Sequence, residues 1–205
     1  MFGFLRRPTV NQHLQPLIPD WLYGSVQSKV TPASKVKHED IKVMVVSLRG
    51  ERFPLVAAYV NEFNKQGVFI LYKRIDGTYR EVYVKEIPVH FVQVYGDLAI
   101  VVSGRAGSSP GILRDEHFII RQTPSGYKEV WNGMATYVKM LPEVPPLFYE
   151  TGSVLLDQDG RRLLYTTLRE TYHRKNLSVP MTRQSFYQIY RYSEESHIYI
   201  LQTSG

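Results

Sequence analysis

VFILYKRIDGTYREVYVKEIPVHFVQVYGDLAIVV, residues 68–102, sets two turn signals between alternating apolar runs, and its reading decides the fold. Asp76-Gly77 separates 68–74 from 79–85, and Gly96-Asp97 separates 89–94 from 98–102. Tight turns of this kind need positive φ at their central positions, which Gly and Asp tolerate, so each should join two antiparallel strands. Upstream, 41–48 reads as a further strand followed by a turn at Arg49-Gly50. Then Phe53, Val56, Ala57, Val60 and Phe63 fall at helical spacing. Pro54 suits the first turn and Gly67 the C-terminal cap, which predicts a helix there.

Downstream, the composition of 103–111 (SGRAGSSPG) reads as a flexible loop. Residues 116–122 and 127–131 form a hairpin around Pro124-Ser125-Gly126. A second short helix is expected over 132–141, with Met134, Val138 and Leu141 on one side and Pro142 ending it. The prolines of 141–146 (LPEVPP) make a stiff connector, because a residue before proline is pushed out of the helical region. Two more hairpins follow, around Asp157–Gly160 and around Ser193–Ser196. The expected class is α+β, predominantly antiparallel β hairpins: about ten strands, one or two short helices and an extended N-terminal arm. Three regions result: the arm, 1–38; a main β-rich domain, 39–141; and a C-terminal basic hairpin region, 142–205.

The arm follows from Pro8, Pro16, Pro19 and Pro32 among apolar residues without a sustained period. Trp21, Leu22 and Tyr23 within it need a surface to lie on, in their own domain or on a neighbouring subunit.

Composition bounds the chemistry. A chain of 205 residues can stabilise a core without staples. Its zero cysteines exclude disulfides, thiolate metal sites and a Cys nucleophile. No apolar run approaches the roughly 18–20 residues that span a bilayer. The opening Met1-Phe-Gly-Phe-Leu-Arg-Arg-Pro8 puts its charges after its apolar residues, the reverse of a secretory leader. The expected location is therefore cytoplasmic or within an assembled particle, with no membrane partner. Seven basic residues (Arg161, Arg162, Arg169, Arg174, Lys175, Arg183 and Arg191) stand against one acid, Glu170, between 161 and 192, which accounts for the whole net charge of +6. Tyr165, Tyr172, Phe186, Tyr187, Tyr190 and Tyr192 are interleaved with them. Cations neutralise phosphates and aromatic faces stack on unpaired bases, so the segment suits single-stranded nucleic acid. Positive charge also protects a strand edge, and it can meet an acidic protein.

No catalytic, metal or cofactor site is expected. The six histidines share no metal-binding spacing. Asp115-Glu116-His117 offers general acid and base side chains with no partner nucleophile in view. The glycines and serines of 103–111 could cradle an anion, but no helix follows them. The stretch 92–131, with Gly96-Asp97, Phe118-Ile-Ile-Arg121 and Ser125-Gly-Tyr-Lys-Glu-Val130, resembles the curved-sheet meander of NTF2-like domains over about a fifth of the chain. That resemblance implies a small-molecule or enzymatic pocket using Asp115, His117 and Tyr127.

The leading expectation is a non-enzymatic structural or assembly protein of a larger complex, such as a virion or phage particle component. It would dock on other subunits through Trp21, Leu22 and Tyr23. The alternatives are a single-stranded nucleic-acid module using Arg161, Arg162, Arg174, Lys175, Arg183 and Arg191, and the NTF2-like pocket.

Overall fold

The computed structural model describes residues 18–30, 36–60, 66–140, 147–173 and 176–205. The described residues hold twelve strands, all antiparallel, and within each of two sheets every strand pairs with its neighbours in sequence. β1 (Ile41–Val46), β2 (Leu55–Val60), β3 (Phe69–Ile75) and β4 (Thr78–Lys85) make a small meander. β5 (Val89–Tyr95), β6 (Ala99–Ser109), β7 (Ile112–Thr123), β8 (Gly126–Lys139), β9 (Leu147–Leu156), β10 (Arg162–His173), β11 (Asn176–Ser193) and β12 (Ile198–Ser204) make a large one. The described residues are thus predominantly antiparallel β, with one α-helix, α1 (Asp20–Lys29), and a 3-10 turn at His38–Asp40.

Three buried clusters join these parts. The first lies between the sheets, where Leu55, Ala57, Phe69 and Leu71 of the small sheet meet Val89, Ile100, Val102, Phe118 and Ile120 of the large one. The second lies on the other face of the small sheet. There Leu22, Val26 and Val30 pack on Ala58, Val60, Ile70 and Tyr72. Each such aliphatic side chain taken from water is worth about 1.5–3 kcal/mol. The third lies within the large sheet, which curls so that β9–β12 cover β6–β8. Val101, Ile119 and Trp131 meet Leu156, Leu163, Tyr165, Tyr192 and Tyr199 there.

Four polar contacts fasten the curl. The Tyr95 hydroxyl donates to the Val154 carbonyl at 2.8 Å, and the Tyr165 hydroxyl to that of Met134 at 2.8 Å. Arg121 Nη1 and the Tyr199 hydroxyl both donate to the Gly160 carbonyl, at 2.7 and 2.6 Å. Gly152 lets β9 approach β8 closely: a Cβ there would stand 2.0 Å from the Met134 carbonyl oxygen.

The helices fall elsewhere than the sequence suggests. The segment read as the best helix is β2, sandwiched between α1 and the large sheet. Val56, Ala58 and Val60 face α1, while Leu55, Ala57 and Tyr59 face the large sheet. A strand buried on both faces reads as a continuous apolar run, which mimics a helical stripe. Phe63, part of that stripe, lies outside the described residues. The second expected helix is the far half of β8, and the glycine-rich loop is the paired end of β6 and β7, turning at Gly111 with φ 72°. The proline connector 141–146 lies outside the described residues.

Part of the expected arm is the helix. Pro19 leads into α1, Asp20 sits in its first turn and Lys29 in its last, both favourable to the helix dipole. Leu22, Val26 and Val30, spaced by four, form its buried stripe.

Candidate functional site

Trp21, Leu22 and Tyr23 find their surface within the chain. Leu22 is 2% exposed. Tyr23 stacks on His38 at 3.9 Å between ring centroids, and its hydroxyl donates to the Val36 carbonyl at 2.7 Å. Trp21, still 42% exposed, stacks on Tyr79 at 5.2 Å and meets the Tyr72 ring edge-on at 5.3 Å. Two of the three residues expected to anchor an arm on a partner are therefore engaged in seating α1.

Asp115, His117 and Tyr127 do not converge on one site. His117 Nε2 lies 3.1 Å from the Gly152 carbonyl, which can only accept, so that nitrogen carries the proton. Nδ1 then accepts the Ser103 hydroxyl at 2.6 Å. Burial lowers the His117 pKa, against smaller upward pulls from the Gly152 carbonyl and Asp115. The neutral ring brackets β6, β7 and β9. This is a serine–histidine pair, but Ser103 is buried and a backbone carbonyl occupies the place of an orienting carboxylate. Asp115 holds Arg105 Nε at 2.5 Å, with His90 Nε2 at 3.4 Å. Tyr127 belongs to the cluster between the sheets, on the opposite face from His117. There it donates at 2.6 Å to Glu51, which also holds Lys73 at 2.8 Å. Among the described residues no group of three His, Cys, Asp or Glu could hold a metal ion.

The glycines of 103–111 lie on the paired end of β6 and at the turn into β7. A Cβ on Gly104 would stand 2.4 Å from the Pro88 carbonyl oxygen, so this glycine serves a close backbone approach.

The basic segment divides by strand face. Arg169 pairs with Glu150 at 3.1 Å, Arg183 with Glu170 at 2.7 Å and Arg161 with Asp159 at 3.6 Å. Hydrogen bonds from Tyr172 and Arg183 lower the Glu170 pKa. Arg162 and Arg191 stand directly opposite each other across β10 and β11. Arg174 and Lys175 lie outside the described residues. Tyr165, Tyr190 and Tyr192 point into the curl, away from Arg162 and Arg191.

Two features sit together where the curl opens. One is a groove of about 530 Å³ lined by Glu150, Tyr165, Thr167, Arg169, Phe186 and Gln188, among others. The Arg169 guanidinium lies between the Phe148 and Phe186 rings, 5.4 and 5.3 Å from their centroids. The other is an edge. β12 pairs with β11 over 188–193, and Gly205 exchanges two backbone hydrogen bonds with Tyr187. Among the described residues no strand flanks 176–186 on that side. Tyr187 aims its N–H and C=O at Gly205, so alternation along an antiparallel ladder aims those of Arg183 and Ser185 outward too. Beside them Leu177, Val179 and Met181 are 58%, 63% and 60% exposed. The sequence carries a signal for this edge in the alternation Leu177, Val179, Met181, and the pairing of β12 with 188–193 shows which part of β11 lacks a flanking strand among the described residues.

No protein-family model, curated protein or solved structure matches this chain. The described residues contain no helix long and apolar enough to cross a membrane.

Proposed function

We propose that this protein is a non-catalytic assembly subunit that joins copies of itself through the open edge of β11. The observation that carries the reading is the row of three exposed aliphatic side chains, Leu177, Val179 and Met181, on a strand that no other strand flanks at Arg183 and Ser185 among the described residues. Such an edge is a template for adding another strand, and long exposed edges that lack a partner aggregate. Pro180 lies where the β10–β11 register shifts. The expected docking element moves accordingly, from Trp21–Tyr23 to β11.

A protein partner is preferred over single-stranded nucleic acid because three of the tyrosines that would stack on bases, Tyr165, Tyr190 and Tyr192, face the inside of the curl, which leaves Tyr187 and Phe186 as the exposed rings of the segment. It is preferred over a small-molecule reaction because Asp115, His117 and Tyr127 hold structural contacts on two faces of the sheet.

Sedimentation velocity of the full chain over a hundredfold concentration range tests the reading. Self-association is expected, and Val179→Lys with Met181→Lys, both at exposed positions, should reduce the protein to monomer without lowering its melting temperature. A wild-type chain that stays monomeric throughout would sink the proposal.

A further inference from the structure

Inward side chains fix which residues face outward on the last four strands. Leu156, Leu163, Tyr165, Tyr192 and Tyr199 are buried in the curl. Alternation therefore turns Leu155, Arg162, Leu164, Arg191, Ile198 and Ile200 to the outer face. Leu155 is opposite Leu164, and Leu164 is opposite Ile189. In the next row Arg162 is opposite Arg191, and Arg191 is opposite Ile200. Leu155 is 59% exposed, and Ile198 and Ile200 are 45% exposed each. The solvent face of an antiparallel sheet is ordinarily polar, so an aliphatic row beside a pair of arginines calls for a partner.

The arginines share a recess of about 300 Å³ with Arg161, Asp157 and Asp159. Asp159 takes the Arg161 side chain, and its carboxylate also accepts the Arg161 backbone N–H at 3.1 Å. Asp157 accepts the backbone N–H of Arg162 at 3.0 Å. Among the described residues neither the Arg162 nor the Arg191 guanidinium makes an ion pair. Like charges directly opposite on neighbouring strands repel, and an anion between them would remove that repulsion.

We propose that the outer face of β9–β12 docks an aliphatic protein segment carrying a carboxylate, which Arg162 and Arg191 grip together. This rests on the assembly reading and adds a second surface, with the chemistry of its partner. The side chains next to the arginines, Leu164, Ile189, Ile198 and Ile200, are aliphatic, which suits a protein segment; the ring on this face of β11, Tyr187, lies two rows away from Arg191. Asp157 and Asp159 in one turn, and Glu194 and Glu195 in the next, fringe the same end of the strands. That fringe repels a phosphate chain or an anionic bilayer but leaves room for a single carboxylate.

The probe is a fluorescein-labelled, C-terminally amidated peptide of alternating valine and serine with one central glutamate, followed by anisotropy with the full chain. Its glutamine counterpart, a labelled oligothymidine, and phosphatidylcholine vesicles containing phosphatidylserine are compared with it. The glutamate peptide should bind, and the glutamine peptide about tenfold more weakly. Arg162→Gln with Arg191→Gln should weaken binding by about tenfold, and Arg→Lys at both positions should not restore it, since lysine lacks the bidentate fork. The variants should melt at or above the wild-type temperature, because their repulsion is gone. No binding of the glutamate peptide, binding indifferent to the arginines, or tighter binding of the oligothymidine or the vesicles would each overturn the proposal. The two proposals fail separately: Val179→Lys with Met181→Lys should abolish self-association and leave peptide binding intact.

Discussion

Replacing Leu22 by alanine separates a helix that completes the fold from an arm that reaches for a partner. Leu22 is 2% exposed, between α1 and the face of the small sheet formed by Ala58, Ile70 and Tyr72. The substitution removes three carbons from an apolar site, about 0.8 kcal/mol each by transfer. The wall it leaves cannot close inward, because β2 and β3 are packed on both faces, so a cavity contribution adds to the transfer loss. The sum is about 3–4 kcal/mol, within the range found for buried leucines. With a urea dependence of about 2–3 kcal/mol per molar, the unfolding midpoint should fall by about 1–2 M. Far-UV circular dichroism during urea titration reads this directly. Trp21→Ala, at a position 42% exposed with ring contacts to Tyr72 and Tyr79, should cost only about 1 kcal/mol. An unchanged midpoint for Leu22→Ala, together with a changed oligomer mass, would refute the docking of α1 on its own sheet and restore the arm.

Two further perturbations probe the curl. Gly152→Ala would drive a Cβ against the Met134 carbonyl and disturb the bonds of Tyr165 to Met134 and of His117 to Gly152, so a loss of about 3 kcal/mol is expected in thermal unfolding; a wild-type melting temperature would contradict the close approach of β8 and β9. Because burial lowers the His117 pKa in the folded chain, the unfolded chain protonates first as pH falls past about 6.5, and stability should decline below that point by up to about 1.4 kcal/mol per pH unit. His117→Gln should flatten that decline below about pH 6.5, and parallel curves for the two proteins would refute the neutral, buried ring.

The hairpins were legible because their turns demand particular residues. Asp76-Gly77 has φ of 51° and 82°, and Gly96, Gly126 and Gly160 are also at positive φ, so each signal is a local backbone requirement written in sequence. What failed locally was decided at a distance. Val56, Ala57 and Val60 suit a helix stripe as well as a strand, and only the layers above and below β2 choose between them. Leu22, Val26 and Val30 do have helical spacing, but the stripe is one residue wide and lies between Pro19 and Pro32, whose local signal is the stronger. At the candidate surfaces, the concentration of charge in 161–192 was visible. Its division was not, since Glu150 and Asp159, which neutralise Arg169 and Arg161, come from β9 and the turn after it. The pairing of Arg162 with Arg191 depends on a register that no single strand encodes.

Neighbour-to-neighbour pairing in both sheets also bears on how the chain reaches this structure. No strand waits for a distant mate, which keeps loop closure short for a protein so rich in β. The two clusters flanking the small sheet draw on nothing beyond Tyr127, whereas the third needs residues as late as Tyr199. A nascent chain can therefore finish two of its three cores while the last four strands are still being made. Their closing over β6–β8, pinned at Val154, Gly152 and Gly160, completes the third core and with it the groove, where Met134 of β8 meets Glu150, Tyr165 and Arg169 of the later strands.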